Sequence, residues 1–550
     1  MQGSVEGVDG AMMDYPLLLR SILYRADTVF PEQEIVSRDY SGMFRYTYRD
    51  MVGRVRRLAN ALSDLGIGVG DRVGSFAWNN HRHLELYFAA PCSQRVLHTV
   101  NIRLFREQLV YTINHANDRA LFVDEDLLPL IESIAEQIPC VETYIVMTDK
   151  KTLPATALPN VHLYEELLAA AEPDYEFPEF DENTAAIVGY TSATTGDPKG
   201  VVYSHRGLYL HCLMMMTGKL SVDDGDVTMP IVPMFHVNAW GRPFTDTWAG
   251  ARQVYPGARP TMADFCALFD SEKVTYSVGV VTIWMGILQQ LRANPGKYDF
   301  SRVRFLLSGG SALPASLTQA YEEELGVTLY QGYGQTETTP VTFVSVPKAS
   351  MANLTGSERY RQRAKSGLLA PGLEMRLIDV DGKEVPHDGH AMGELLLRGP
   401  WIIDEYDRSP AKTQESFLDG WFRTGDIATM DENAYLQIVD RTKDLIKSGG
   451  EWISSVDLEN TLMGHPDVLE AVVIGIPDPK WQERPLACVV LRQEARAVVT
   501  ESDLKEYLVD KVAKWWIPDE IVFVQEIPKT SVGKFSKKTL RQLYGEGQLV

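Results

Sequence analysis

One stretch of the chain combines hydroxyl-bearing residues, glycines and a lysine: Tyr190-Thr-Ser-Ala-Thr-Thr-Gly-Asp-Pro-Lys-Gly200. Backbone amides and hydroxyl groups in such a loop can surround a row of phosphate groups, and Lys199 adds a positive charge. The spacing differs from the mononucleotide-binding Gly-x-x-x-x-Gly-Lys-Ser/Thr pattern, because only three residues separate Gly196 from Gly200 and Lys199 precedes the second glycine. A polar turn after a strand is the alternative that the loop alone leaves open.

The apolar runs around this loop and around a second pair of glycines predict where a ligand would lie. Residues 187–190 are apolar enough for a short buried strand that leads into the loop. Residues 303–308 form another such run, followed by Gly309, Gly310 and a helix that we expect to begin near Pro314. Glycines at the carboxyl end of a strand let a ligand approach the backbone closely, and open α/β sheets bind their ligands at this edge.

Strand and helix patterns alternate along most of the chain. We expect strands over residues 120–123 and 143–147, and a helix capped by Thr47 with Asp50 three residues further on. Residues 173–183 are acidic and contain two prolines, so we expect a surface connection there. The alternation predicts an α/β fold in layers, with largely parallel strands.

The pattern changes near Asp440. The last part of the chain predicts a helix from Ser455, a strand over residues 471–476, a helix after Thr500 and a strand over residues 520–524. At roughly 100 residues this part is long enough for a separate small α+β domain.

Bulk properties narrow the class of protein. A chain of 550 residues is expected to form at least two domains. Its formal net charge of −21 argues against nucleic acid as the main partner but leaves room for a local basic pocket. No apolar run approaches the roughly 20 residues that span a bilayer, and the N-terminus does not resemble a secretion signal. Five scattered cysteines without a Cys-x-x-Cys spacing predict a reduced, cytoplasmic protein with neither a disulfide framework nor a zinc site.

Four further motifs follow the loop in order. They are Gly332-Tyr-Gly-Gln-Thr-Glu337, Gly420-Trp-Phe-Arg-Thr-Gly-Asp426, Asp440-Arg-Thr-Lys443 and Pro528-Lys-Thr-Ser-Val-Gly-Lys534. Together with the loop, they closely resemble the adenylate-forming superfamily, which contains acyl-CoA synthetases, luciferases and peptide-synthetase adenylation domains. The resemblance spans nearly the whole chain. Two more stretches, Val232-Pro-Met-Phe-His-Val-Asn-Ala-Trp240 and Lys447-Ser-Gly-Gly-Glu-Trp-Ile-Ser-Ser455, are similar to the medium- to long-chain fatty acyl-CoA synthetase branch.

This resemblance implies an AMP-forming acyl-CoA ligase that uses ATP, Mg²⁺ and coenzyme A. It implies a large N-terminal domain of residues 1–440, with layered α/β sheets and a small β subdomain, then a hinge at residues 441–443 and a small mobile α+β domain of residues 444–550. A homodimer is implied as well. We expect a medium-chain fatty acid as substrate; short, branched and sulfur-containing acids stay open, as does peripheral contact with a membrane. An acid with a pKa of about 4 is ionised at neutral pH and needs no general base to attack phosphorus.

The resemblance also implies a role for each catalytic residue. Lys534 bridges the substrate carboxylate and the α-phosphate of ATP, and Thr336 lies at that phosphate. Glu337 binds Mg²⁺, with Thr194 nearby, because carboxylate and hydroxyl oxygens suit this ion. His236 lies beside the acyl carboxylate. From the residues alone, a histidine among apolar residues such as His236 is usually a hydrogen-bonded core residue.

The remaining implied contacts fall into three groups. Asp426 accepts hydrogen bonds from the ribose hydroxyls, Arg441 contacts ribose and phosphate, and the other nucleotide contacts come from Thr191, Ser192, Ala193, Thr194, Thr195, Gly196, Lys199, Gly309, Gly310, Ser311, Gln331, Gly332, Tyr333 and Gly334. A rotation about the hinge residue Lys443 brings Gly449 and Gly450 to the site for the coenzyme A step. Trp452 then packs against the nucleotide, and Lys447 is a further cofactor contact. The acyl pocket is formed by His236, Val237, Trp240 and Gly309. Trp240 is either core packing or an aromatic gate.

Ala193 departs from the family pattern, which usually has glycine at this position. A methyl group there disfavours positive φ angles. Either the loop closes differently over pyrophosphate and activity is lowered, or the substitution is tolerated. Two alternatives to a CoA ligase stay open: an acid-adenylating enzyme that delivers to another acceptor, and, because of Ala193, a binding homologue of low activity.

Overall fold

The computed structural model describes residues 10–191, 197–448, 451–496, 498–530 and 534–549. Helices and strands alternate in the first part of the chain, as predicted. They are α1 (Arg20–Val29), β1 (Glu34–Arg38), β2 (Met43–Thr47), α2 (Tyr48–Asp64), β3 (Arg72–Phe76), α3 (His81–Cys92), β4 (Val96–Thr99), α4 (Arg106–Ala116), β5 (Asp118–Asp124), α5 (Leu128–Glu132), β6 (Thr143–Met147), β7 (Val161–Leu163), α6 (Tyr164–Ala170), β8 (Ala185–Tyr190) and β9 (Gly200–Ser204).

The middle of the chain continues the alternation. Its elements are α7 (His205–Met215), β10 (Val227–Pro230), α8 (Arg242–Ala249), β11 (Arg252–Tyr255), α9 (Met262–Ser271), β12 (Tyr276–Val280), α10 (Val281–Ala293), β13 (Phe305–Gly309), α11 (Ala315–Leu325), β14 (Thr328–Gly334), β15 (Val341–Val344), α12 (Gly356–Ala364) and β16 (Leu368–Leu369).

The last part is richer in strands. It contains β17 (Glu374–Ile378), β18 (Gly393–Arg398), α13 (Pro410–Glu415), β19 (Phe417–Leu418), β20 (Trp421–Met430), β21 (Leu436–Arg441), β22 (Ile446–Ser448), β23 (Glu451–Ile453), α14 (Ser455–Met463), β24 (Val468–Asp478), β25 (Gln482–Leu491), α15 (Glu501–Leu508), β26 (Glu520–Phe523) and α16 (Lys537–Gly545).

Two large sheets form the N-terminal part. One has the order β7-β6-β5-β3-β4-β8-β9 and is parallel except at the β8/β9 pair. The other has the order β16-β15-β14-β13-β12-β10-β11-β1-β2 and is parallel from β14 to β1. Helix α3 touches β1 of the second sheet and β3, β4 and β8 of the first, and all twelve of its residues are buried. The predicted layered, largely parallel α/β fold is confirmed.

Two smaller sheets follow. Strands β17 to β21 form an antiparallel sheet, which is the predicted small β subdomain. Strands β22 to β26 form another sheet that packs with α14, α15 and α16, so the predicted α+β character of the last part is confirmed. None of the helices in the described part of the chain is long and apolar enough to cross a membrane.

Local patterns explain why these elements begin where they do. The Thr47 hydroxyl accepts a hydrogen bond from the Asp50 amide and the Asp50 carboxylate accepts one from the Thr47 amide, so the predicted cap of α2 is a full capping box. Such a cap contributes about 1 kcal/mol. Pro314 immediately precedes α11, and residues 173–183 contain neither helix nor strand, both as predicted.

Candidate functional site

A cavity of about 980 Å³ opens at the carboxyl ends of β12, β13 and β14. Its walls come from both large sheets, from the small β subdomain and, through Lys534, from the C-terminal α+β part. This is the edge at which the glycine-containing turns predicted a ligand, and it is where open α/β sheets bind theirs. We call the part of the wall that carries Lys199, Glu337 and Arg441 the polar end, and the part formed by Val237, Trp240, Leu307 and Val341, which belong to one apolar cluster, the apolar end.

Lys534 reaches into this cavity from the C-terminal part. An antiparallel bridge between Lys529 and Phe535 holds its backbone, and the Thr530 amide donates to the Lys534 carbonyl at 2.6 Å. A Cβ at residue 310 would lie 2.9 Å from Lys534 Cε, and Gly310 has a φ of +82°. Glycine is therefore required at 310 both for the backbone conformation and for the space that the lysine occupies. Burial, and then the positive charge of Arg441, lower the pKa of Lys534 from 10.5 to about 8.

Asp426 and Arg441 face each other across neighbouring strands. They are paired in the register of β20 and β21, and Arg441 Nε lies 3.2 Å from Asp426 Oδ1. The other carboxylate oxygen of Asp426 accepts hydrogen bonds from Tyr333 Oη at 2.6 Å and from Gln335 Nε2 at 2.7 Å. The carboxylate is thus fixed in orientation by three donors, and it keeps acceptor sites that a ligand hydroxyl can use.

Glu337 belongs to a second polar group. Its Oε1 accepts a hydrogen bond from Tyr406 Oη at 2.7 Å and lies 3.7 Å from Lys199 Nζ. Lys199 Nζ in turn donates to Tyr406 Oη at 2.7 Å. The preceding residue, Thr336, lies on the cavity wall, and its carbonyl accepts a hydrogen bond from Tyr203 Oη at 2.8 Å. A carboxylate, a lysine and a threonine therefore converge on the polar end of the cavity.

The apolar end is bounded by the turn Val237–Gly241. Trp240 packs against β13, so that a Cβ at residue 309 would lie only 2.7 Å from a carbon of its indole ring. Val237 and Trp240 line the cavity together with His236. Burial, and then the charge of Lys534, lower the pKa of His236 to about 3, which keeps the imidazole neutral.

Most of the predicted site residues converge on this cavity. Its wall includes Thr191, Lys199, His236, Val237, Trp240, Gly309, Gly310, Gly332, Tyr333, Gly334, Thr336, Glu337, Arg441, Lys443 and Lys534. Gln331 lies behind this wall, where its amide donates to the carbonyl of Ser311 at 3.0 Å.

Other predicted residues lie elsewhere. Lys447 and Trp452 face each other on the β22–β23 hairpin, away from the cavity, with Lys447 Nζ 5.8 Å from the indole centroid. The remaining ones lie outside the described residues: Ser192, Ala193, Thr194, Thr195, Gly196, Gly449 and Gly450.

Two residues that organise the polar end, Gln335 and Tyr406, were not among those predicted from the sequence. Gln335 lies inside the motif at residues 332–337, and its place there could have identified it. Tyr406 lies between β18 and α13, in a stretch that gave no chemical signal in a single sequence. Its position becomes apparent only when the folded chain brings it to Glu337.

Comparison with protein families gives two matches. The family described as AMP-binding enzyme matches residues 23–407, and the AMP-binding enzyme C-terminal domain matches residues 457–534.

Three curated proteins are similar to this chain over almost their whole length. The Long-chain-fatty-acid–CoA ligase of Thermus thermophilus is 46% identical over 97% of this chain and 96% of its own. The 3-methylmercaptopropionyl-CoA ligase of Ruegeria lacuscaerulensis is 42% identical over 97% of this chain and 98% of its own. The Medium-chain-fatty-acid–CoA ligase of Ectopseudomonas oleovorans is 39% identical over 98% of each chain. Among solved structures, the anthranilate CoA ligase AuaEII in complex with anthranoyl-AMP superimposes with a TM-score of 0.86 at 26% identity, with 98% and 99% covered.

Proposed function

Because this chain belongs to the AMP-binding enzyme family and is an AMP-forming acid–CoA ligase, we propose that its physiological acid is a medium-chain fatty acid. The enzyme activates carboxylic acids through an adenylate, and its substrates include ATP and coenzyme A. The observation that carries the proposal is the cavity with two unlike ends, a cationic polar end for a nucleotide and an apolar end for an acyl chain.

In the first half-reaction, an oxygen of the ionised substrate carboxylate attacks the α-phosphorus of ATP. An oxygen–phosphorus bond forms, the bond to the β-phosphate oxygen breaks, and pyrophosphate leaves. Lys534 neutralises the negative charge shared by the carboxylate and the α-phosphate, and Thr336 hydrogen-bonds to that phosphate. Such a step depends on alignment and electrostatic stabilisation. The burial of Lys534 beside Glu337 and Arg441 supports this role.

The nucleotide occupies the polar end. Asp426 accepts hydrogen bonds from the ribose hydroxyls, and Arg441 contacts ribose and phosphate. The adenine lies in a slot between residues 309–312 and residues 331–333, with Lys199 at the phosphates. The fixed orientation of the Asp426 carboxylate supports this arrangement.

Glu337 is the residue that would hold Mg²⁺, with Thr194 as the second protein ligand. Magnesium is usually held by one or two carboxylates together with substrate phosphates and water, so a single carboxylate and a hydroxyl suit this ion. The ion would neutralise charge on the phosphates when it is bound.

The second half-reaction needs a different arrangement of the C-terminal part. We place the domain boundary at residues 441–443, between β21 and the sheet that contains β22. Rotation about Lys443 withdraws Lys534 and brings in Lys447, Trp452 and the glycines at 449 and 450. The thiol of coenzyme A loses its proton to solvent and the thiolate attacks the acyl carbon: a carbon–sulfur bond forms, the bond between the acyl carbon and the phosphate oxygen breaks, and AMP leaves. The position of Lys447 and Trp452 away from the cavity, while Lys534 lies inside it, supports this alternation.

The acyl chain occupies the apolar end beside His236, Val237, Trp240 and Gly309. Val232, Leu307 and Val341, which belong to the same apolar cluster as Val237 and Trp240, give this end its apolar character. In this role Trp240 acts as the aromatic gate rather than as core packing alone. A homodimer remains part of the proposal.

The deciding experiment is an acid panel with purified enzyme, ATP, Mg²⁺ and coenzyme A. We expect AMP and acyl-CoA to form with the highest kcat/KM for acids such as hexanoate and octanoate, above both acetate and palmitate. A matched variant, Ala193→Gly, restores the usual family residue. A higher turnover in this variant would mean that Ala193 lowers activity, and an equal turnover would mean that the substitution is tolerated. A higher kcat/KM for acetate or palmitate than for hexanoate and octanoate would refute the proposed substrate class, and so would the absence of AMP formation from all of these acids in both proteins.

A further inference from the structure

A cluster of polar side chains is buried close to the apolar end of the cavity. His211, Asn238, Arg242 and Asp246 are at most 1% exposed. Arg242 Nη2 pairs with Asp246 Oδ1 one helical turn away on α8, but seven other nitrogen and oxygen atoms of these four residues have no hydrogen-bond partner in the structure. They are both ring nitrogens of His211, both amide atoms of Asn238, Nε and Nη1 of Arg242 and Oδ2 of Asp246. Buried polar groups are nearly always hydrogen-bonded, so this concentration indicates a place built for further polar atoms.

The cluster lies directly behind the wall of the cavity. Val237 and Trp240 line the cavity, while Asn238 belongs to the same turn and Arg242 begins the helix that follows it. His211 approaches this turn from α7, because a Cβ at Gly241 would lie 3.0 Å from its Nδ1. One turn of chain therefore separates the apolar end of the cavity from the cluster.

That turn has an unfavourable backbone conformation. Val237, Asn238, Ala239 and Trp240 have φ angles of 41°, 57°, 45° and 58°, which form a left-handed turn. Residues other than glycine avoid positive φ angles, and such conformations persist only where the surrounding structure imposes them. A change of this turn would move Trp240 and Asn238 together and would join the cavity to the cluster.

The chemistry of the cluster favours a neutral, oxygen-bearing group. The charge of Arg242 is matched by Asp246, and burial, followed by the charge of Arg242, lowers the pKa of His211 to about 3, so that its ring is neutral. A second carboxylate would be a buried charge without a counter-ion. A methyl group would leave all of the donors and acceptors unsatisfied, whereas a hydroxyl both donates and accepts.

We propose that His211, Asn238, Arg242 and Asp246 form the far end of the acid-binding pocket and recognise a hydroxyl or carbonyl group at the tail of the substrate. This inference rests on the proposed function and narrows it, from medium-chain acids in general to those with a neutral polar end. The left-handed turn is the wall that such a substrate displaces.

The test compares acids of equal length that differ only at the tail. Wild-type enzyme is assayed by AMP release with hexanoate, ω-hydroxyhexanoate and adipate, and with octanoate, ω-hydroxyoctanoate and suberate. Since a site built to hydrogen-bond a hydroxyl discriminates strongly against the analogue that lacks it, we expect kcat/KM to be at least about tenfold higher for the hydroxyl-ended acid in at least one series. The dicarboxylates are expected to be the poorest substrates.

Two double variants test whether the buried cluster causes the preference for hydroxyl-ended over methyl-ended acids. Arg242→Leu/Asp246→Leu removes both charges together and leaves no lone buried ion, and it is expected to reduce the hydroxyl-to-methyl ratio by at least about tenfold. Arg292→Gln/Glu324→Gln removes an exposed ion pair between α10 and α11 and is expected to leave the ratio unchanged.

Each outcome has a defined meaning. Wild-type preference for the methyl-ended acids in both series overturns the inference even if the double variant does not fold, and so does an unchanged ratio in a folded double variant. Efficient turnover of plain acids without any preference for a polar tail leaves the proposed function standing and refutes this inference alone. Turnover of none of the acids refutes both.

Discussion

The buried ammonium group of Lys534 predicts that acid activation is lost at alkaline pH. In the folded protein its pKa is about 8, compared with 10.5 for a solvated lysine. At about 1.4 kcal/mol per pKa unit, this difference corresponds to about 3 kcal/mol against the charged form. The value is an upper bound, because part of the side chain faces the cavity rather than packed protein. Between pH 8 and 10.5, Lys534 is protonated in the unfolded chain but largely neutral in the folded protein. The free-energy cost of burying Lys534 therefore falls as the pH rises through that window.

The rate of adenylation is expected to fall as the pH rises, although the folded protein becomes easier to form. A neutral lysine cannot balance the charge of the carboxylate and the α-phosphate, so kcat/KM for adenylation should fall about tenfold per pH unit above about 8. Bound ATP is an anion and favours the charged lysine, so the alkaline limb of kcat should lie at a higher pH than that of kcat/KM. The assay is ATP–pyrophosphate exchange at low and at saturating ATP concentrations with the acid saturating, over about pH 7 to 10.

Two controls separate Lys534 from other titrating groups. Lys534→Arg keeps a positive charge throughout this range and should show a lower but level rate. Thioester formation from preformed adenylate, in the wild type, should lack the alkaline limb because Lys534 has left the site in that step. A limb that persists unchanged in Lys534→Arg, or a level wild-type profile, would refute the role given to the lysine.

Two further substitutions probe the neighbours of this lysine. Tyr406→Phe removes the hydrogen bond to Glu337, and because a bond to a charged group contributes about 1.5–3 kcal/mol, kcat/KM should fall about 10- to 100-fold in the exchange assay. Tyr321→Phe, which removes a buried hydrogen bond to the carbonyl of Trp284, neither residue lining the cavity, is the matched control, and equal kinetics in both variants would contradict the prediction. Gly310→Ala places a methyl group 2.9 Å from Lys534 Cε and should impair adenylation more than thioester formation from preformed adenylate. Equal loss of both steps would count against it.

The layered fold was predictable because local patterns determine it. The apolar run at residues 143–147 is a strand with those bounds, and Thr47 caps its helix as its spacing with Asp50 predicted. Much of the candidate site was predictable too, because motif residues such as Glu337 and Asp426 lie near glycine-containing strand ends. Tyr406 was not, because its contact with Glu337 joins residues 69 positions apart, and nothing local marks it.

The left-handed turn beside the apolar end shows a different limit. Val, Asn, Ala and Trp at residues 237–240 have no local reason to adopt positive φ angles, and the packing of Trp240 against Gly309 coincides with that conformation. Propensity and periodicity describe what a segment favours by itself. Tertiary packing determined this turn, so the polar cluster behind it could not be inferred from the sequence.

The charges around the cavity connect ligand binding with the position of the C-terminal part. Burial lowers the pKa of Lys199, Lys443 and Lys534, although the whole chain carries a formal charge of −21. An anionic nucleotide relieves this local excess of positive charge and therefore favours Lys534 in the site. Once pyrophosphate leaves, fewer negative charges lie near Lys534, and the free-energy cost of burying its ammonium group rises again. We therefore expect the chemistry of the first step to favour withdrawal of Lys534, which makes room for the second.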